Sequence, residues 1–139
     1  MSLDIQLFKK GFDIHKSRAE IDAAYIKLQA LKEALEQLED EYEESMLSSH
    51  NISHNLNTMA EAAGLYDVLW NPESIGITTA SQMIPLLEKG IKELIANPDK
   101  YKAFNPPNKF GSYENLVDFC NTVLQKCREN PDAVIEVGK

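Results

Sequence analysis

Two of the chain's three histidines, His50 and His54, stand four residues apart in the stretch SSHNISHNLNTMAEAAG at positions 48–64. On one continuous helix that spacing stacks both imidazoles on a single face, where they could bind a divalent metal with help from Glu44 or Glu61. The H-E-x-x-H pattern of hydrolytic zinc sites is not met, because Asn51 follows His50 and no glutamate fills the general-base position. Structural zinc sites take four ligands and catalytic ones three plus water, so two histidines alone make neither. No metal and no cofactor is expected. The competing placement is a helix start, in which Asn51 or Ser53 accepts from the free N–H groups of a first turn. A cap there leaves His50 outside the helix and dissolves the shared face.

Other catalytic constellations fail on similar grounds. Ser48, Ser49 and Ser53 lie near His54 in sequence, but adjacency along the chain does not place a base against a nucleophile. The six glycines are scattered singly, so no loop cradles a phosphate. Cys120 and Cys127, seven apart in an apolar periodic segment, read as buried free thiols. An enzyme is therefore the least expected class, its one form being a metal-dependent activity through His50 and His54.

What remains is recognition. Asn51, His54 and Asn55 form a compact polar group at a helix start, and such side chains with backbone N–H groups can read a base edge or ribose hydroxyls. Tyr66, Trp70, Phe110 and Tyr113 could add a stacking surface; the plainer alternative makes the asparagines loop ties, His54 an interior histidine and the aromatics core. The expected ligand-binding set is Asn51, His54, Asn55, Trp70 and Tyr113.

The elements that must position these residues are helical. Phe12 to Ala63 contains neither Gly nor Pro, and residues 12–47 are rich in Ala, Leu, Glu and Lys, so they read as one long helix. Ile14, Ile21, Leu28, Leu35 and Tyr42 recur every seven residues, with Ser17, Ala24, Leu31, Leu38 and Ser45 between them. A stripe this narrow is a coiled-coil seam. It predicts a projecting helix that assembles copies through Ile21, Leu28, Leu31, Leu35, Leu38 and Tyr42. Lys16–Glu20, Arg18–Asp22 and Lys32–Glu36 are spaced for i,i+4 ion pairs.

A second helix is expected from Ile52 through Leu56 and Met59 to Ala63, stopped by Gly64. Thr79 and Gln82 form a capping box for a helix over about 80–96, with Met83, Ile84, Leu87, Ile91, Leu94 and Ile95 inward and Pro85 a potential late start or bend. A turn is expected near Tyr101–Phe104, and Ser112 caps a last helix to about Arg128 with Leu116, Cys120, Val123, Leu124 and Cys127 inside. The closing AVIEV alternates like a strand, and LDIQLF near the N-terminus is its candidate mate in a minor two-stranded patch. The expectation is an all-α protein, with an oligomerisation segment over 1–50 and a compact helical domain over 51–139.

Charge narrows the partners. The net charge is −8 with a pI near 4.8, which argues against nucleic acid. No run is long and apolar enough for a leader or membrane span, so the cytosol is the expected compartment. Glu33 to Glu88 contains eleven acidic residues and no Lys or Arg. A phosphate would have to be met by Lys89, Lys92, Lys100, Lys102 or Lys109, or by a second subunit.

From Asn51 onward the chain resembles a family of small bacteriophage and prophage proteins. The resemblance lies in NISHNLNTMAEAAGLYDVLW with Pro72-Glu73, in MIPLLEKGIKEL, PDKYKAFN and GSYENLV, and in the closing NPDAVIEV. The pattern Asn-x-Ser/Thr-His-Asn-Leu-x-x-Met-Ala is its most specific part. Two features depart from it: a heptad helix precedes the motif where family members have an extended segment, and Lys109-Phe110 stands where they carry Gly-Trp. The resemblance implies a phage origin rather than a mechanism. The expected function is a non-catalytic oligomer that binds or sequesters a small polar ligand, a host nucleotide signal being the candidate. The alternative is a protein-interaction module in which the long helix engages a host or phage protein.

Overall fold

The computed structural model describes residues 1–138, and they are all-α, with six α-helices, two short 3-10 turns and no strand. The chain divides into two units, Met1–Met46 and Leu47–Lys139.

The first unit is dominated by α1, Ile14–Ser45, which spans roughly 48 Å at 1.5 Å per residue. Asp13 caps it by accepting from the Lys16 N–H at 3.0 Å. None of its residues is buried, and Ile21, Leu28, Leu31, Leu35, Leu38 and Tyr42 are between 47% and 68% exposed. Its side-chain links are Gln29–Glu33 at 3.3 Å and Gln37–Glu41 at 3.1 Å. The ion pairs Lys16–Glu20, Arg18–Asp22 and Lys32–Glu36 do not close: on a solvated face, charges spaced for pairing gain little over hydration.

The second unit is built on two long helices, α4 (Ala80–Ala96) and α6 (Tyr113–Glu129), which make its main helix–helix contact. Short pieces complete it: a 3-10 turn (His54–Leu56) running into α2 (Asn57–Ala62), then α3 (Tyr66–Trp70), a 3-10 turn (Pro72–Ile75) and α5 (Pro98–Lys102). The second helix thus starts two residues after Ile52 and opens as a 3-10 turn, because Ser53 rather than Asn51 is the cap, accepting from the Asn55 N–H at 3.2 Å. Ser112 caps α6 likewise, accepting from the Asn115 N–H at 3.2 Å.

The stripes read from sequence mostly face inward. Leu56, Met59, Leu65, Leu87, Leu94, Leu116 and Cys120 are fully buried, whereas Ile95 stands 59% exposed, at the margin of the α4 stripe. Pro85 neither delays nor breaks α4. The reason lies in how its first turn is satisfied. Gln82 Oε1 accepts from the Thr78 and Thr79 N–H groups at 2.7 and 3.1 Å, and the C-terminal tail supplies Ala133 O to Ala80 N–H (2.8 Å) and Pro131 O to Ser81 N–H (2.9 Å). This corrects the expected pairing of AVIEV with LDIQLF. Val134 makes a single antiparallel bridge to Thr79, Ile135 N–H donates to Thr78 O, and LDIQLF forms no strand. The tail's extended backbone serves as a cap for a helix that would otherwise present unpaired N–H groups.

Two glycines set the packing distance. A Cβ on Gly90 in α4 would overlap the side chain of Leu65, and one on Gly111 would come within 2.9 Å of Leu56 Cγ. Lys109 shows the opposite situation, a non-glycine residue held at φ 62, a left-handed conformation that costs an L-residue about 1 kcal/mol or more. Among the described residues no helix is long and apolar enough to cross a membrane.

Replacing Gly90 by Ala gains helix propensity but forces the fully buried Leu65 to repack. A net loss of about 1–2 kcal/mol is expected in chemical denaturation. Lys109→Gly relieves the left-handed strain at some entropic cost in the unfolded chain, and a gain of about 0.5–1 kcal/mol is expected in the same measurement.

Candidate functional site

The 3-10 turn at His54 settles the histidine spacing. His50 lies before the cap, outside any helix, and its Nε2 lies 3.0 Å from the Ser48 hydroxyl. Its ring meets Phe119 of α6 edge-on, with centroids 6.5 Å apart. His54 is turned to a different partner: the Trp70 indole N–H donates to its Nδ1 at 2.9 Å. An indole N–H can only donate, so Nδ1 is the unprotonated nitrogen and Nε2 carries the proton on an exposed ring. Among the described residues no three His, Cys, Asp or Glu side chains gather to hold a metal ion.

The Trp70–His54 bond belongs to a small aromatic stack. Tyr66 and Trp70 sit one turn apart on α3 with rings 5.6 Å apart and nearly parallel, and His54 lies tilted against Trp70 at 6.2 Å. Trp70 is buried and Tyr66 half-buried, so the stack is a wall rather than an open face. Asn51 and Asn55 are exposed. Tyr113 is held elsewhere: it is buried, its hydroxyl donates to Leu94 O at 2.7 Å, and its N–H donates to Asn105 Oδ1 at 2.8 Å. Of the five residues singled out from sequence, His54 and Trp70 are joined, and Asn51 and Asn55 flank His54 along the chain. Tyr113 is tied to the end of α4.

A different set of neighbours lines the surface here. The segment Ser49–Ser53 forms one side of a depression of about 510 Å³, and Asn115, Asp118, Phe119 and Thr122 of α6 form the other, with Leu56 and Gly111 closing it. Asp118 is the formally charged side chain in the lining, and no Lys or Arg takes part. Sequence reasoning missed the α6 side. The signal was present, since 115, 118, 119 and 122 follow the i, i+3, i+4, i+7 spacing of a second helix face beside the core stripe.

A second depression, about 480 Å³, runs between α4 and α6 past Ile91, Lys92, Ile95 and Leu124, with Arg128 paired to Glu88 at 2.9 Å. Two of the lysines considered for a phosphate are already engaged. Lys100 lies 3.7 Å from Glu93 and above the Tyr101 ring, and Lys102 lies 3.7 Å from Glu114 and above Tyr113.

Three ionisable groups are shifted by the packing of the body. Burial pushes the Tyr101 hydroxyl up to about 12, helped by the hydrogen bond and negative charge of Glu93, 2.8 Å away. Burial alone pushes the Cys120 thiol up to about 12 and raises Cys127 as well; both are free thiols. A thiol held protonated in this way is a poor nucleophile. No family model, no curated protein and no solved structure matches this chain.

His54→Ala leaves the buried Trp70 indole N–H without an acceptor and is expected to cost about 1–2 kcal/mol. His54→Asn keeps an acceptor near the Nδ1 position and removes Nε2, so most of that stability should return. Denaturation curves for the two variants, with Trp70 fluorescence as the probe, compare them directly.

Proposed function

We propose that this chain is a non-catalytic, self-associating binding protein of the phage type. Copies assemble through α1, and the surface beside His50 and Asn51 meets a small polar ligand. The observation that carries the proposal is the state of the seam. Ile21, Leu28, Leu31, Leu35 and Leu38 repeat with coiled-coil spacing along a helix that buries none of its residues. Each such side chain gains about 1.5–3 kcal/mol on full burial, and a second helix of the same pattern provides that burial. The weak seam positions Ser17 and Ala24 put the strongest contact between Leu28 and Leu38.

The ligand side of the proposal rests on the depression between Ser49–Ser53 and α6. Its lining combines amide, hydroxyl and imidazole groups with the Phe119 ring, which suits a small polar molecule with a flat face. Asp118 and the lack of a cation in the lining favour a neutral or positively charged ligand; a nucleotide phosphate would need lysines brought by another subunit. Kinship with the phage family rests on the motif resemblance.

Sedimentation equilibrium tests the assembly. The protein is expected to run at a multiple of its 15.7 kDa chain mass. The double substitution Leu31→Glu and Leu38→Glu should shift it to a single copy while the Trp70 fluorescence of the body stays native. A wild-type chain that remains a single copy at high concentration overturns the proposal.

A further inference from the structure

The charges on α1 are segregated along its length. From Lys16 to Lys32 it carries four basic side chains (Lys16, Arg18, Lys27, Lys32) and two acidic ones; from Glu33 to Glu44 it carries seven acidic and no basic ones. All lie on a helix without buried residues, so all would remain at the rim of any pairing. From this charge segregation and the seam pattern we infer that the occupant of the α1 seam is a second copy of α1 running antiparallel. This inference rests on the self-association proposed above and adds its direction.

A parallel, in-register pair sets seven carboxylates beside seven. In heptad terms it also places Lys27 at g against Lys32 at e of the second copy, a like-charge contact on each flank. Reversing one helix lays the basic half of each copy along the acidic half of the other. The helix dipoles then oppose as well.

The seam accepts this reversal. With Leu28 opposite Leu38, Leu31 falls opposite Leu35, and the four leucines form a self-complementary centre about residue 33. The same register puts Ala24 against Tyr42, a small side chain against a large one, and Ile21 against Ser45. On the flanks it brings Lys27 toward Glu41 of the second copy on either side of the leucine centre, with Lys32 facing its own counterpart at the middle. The overlap runs from Ile21 to Ser45, roughly 37 Å at 1.5 Å per residue. The parallel arrangement instead stacks Tyr42 on Tyr42 and Ala24 on Ala24, leaving a crowded layer and a loose one.

The experiment uses the full chain. Ala19→Cys places a spin label on an exposed position outside the seam, while the native Cys120 and Cys127 are buried. Antiparallel copies hold the two labels roughly 42 Å apart along the axis, and parallel copies hold them side by side. A second measurement mixes Ala24→Cys chains with Tyr42→Cys chains under oxidation. The inference expects a cross-linked pair in the mixture and none in either variant alone. A short label separation, or self-cross-linking of the single variants, overturns the direction and leaves self-association standing. A chain that sediments as a single copy overturns both. Raising salt should also weaken the association several-fold, since the opposed charges are screened; strengthening with salt is the parallel result and counts against the inference.

Discussion

Leu65 lies against Gly90 in a contact that admits no Cβ, and Leu56 takes the equivalent place against Gly111. Both leucines are fully buried, and they enter the body from the two ends of the segment that carries the 3-10 turn and α2. With those ends seated, Trp70 comes within hydrogen-bonding distance of His54, and Ser49–Ser53 lies along α6. The polar surface is therefore a consequence of apolar packing. The side chains that could meet a ligand are placed by two leucines that make no use of their own chemistry there.

The two units obey different rules. The body satisfies itself: its buried tyrosine hydroxyls donate to Leu94 O and Glu93, and among the described residues no buried side-chain polar atom lacks a hydrogen-bond partner. Its ends are closed by caps, with the C-terminal tail completing the first turn of α4. The first unit leaves its apolar seam open. A helix of 32 residues with good intrinsic propensity can persist in water, but the seam's spacing has no purpose in isolation. Assembly supplies that purpose in the function proposed for this protein, and the direction inferred for it rests on the charge segregation along the same helix.

Much of the fold was legible before the coordinates. The long helix, the boundaries of α4 and α6, the Thr79–Gln82 and Ser112 caps and most of the inward stripe follow from local spacing and cap chemistry. The site was only partly legible. The motif segment could be picked out by its polar residues, yet its neighbour across the groove is the Asn115–Thr122 face of α6, some sixty residues later. Trp70 was readable as an aromatic near the motif, whereas Tyr113 is held at the end of α4. Whether an aromatic stacks on a ligand or fills a core depends on what occupies the space around it, and both of these are enclosed.

What the amino-acid order determined by itself is everything that depends on neighbours within about a turn of helix. That includes the helical class, the caps, the heptad seam and the placement of His50 outside the helix once Ser53 caps it. Only the tertiary structure decided the pairings at long range: Trp70 with His54, Leu65 with Gly90, the tail with α4 rather than with LDIQLF, and Ser49–Ser53 with α6. The reason is physical. Local hydrogen bonds are set by residue type and spacing, which can be read along a line. Long-range pairings are chosen by which surfaces fit together once the helices exist, and an absent Cβ or a buried indole N–H acquires meaning only from the atom it meets.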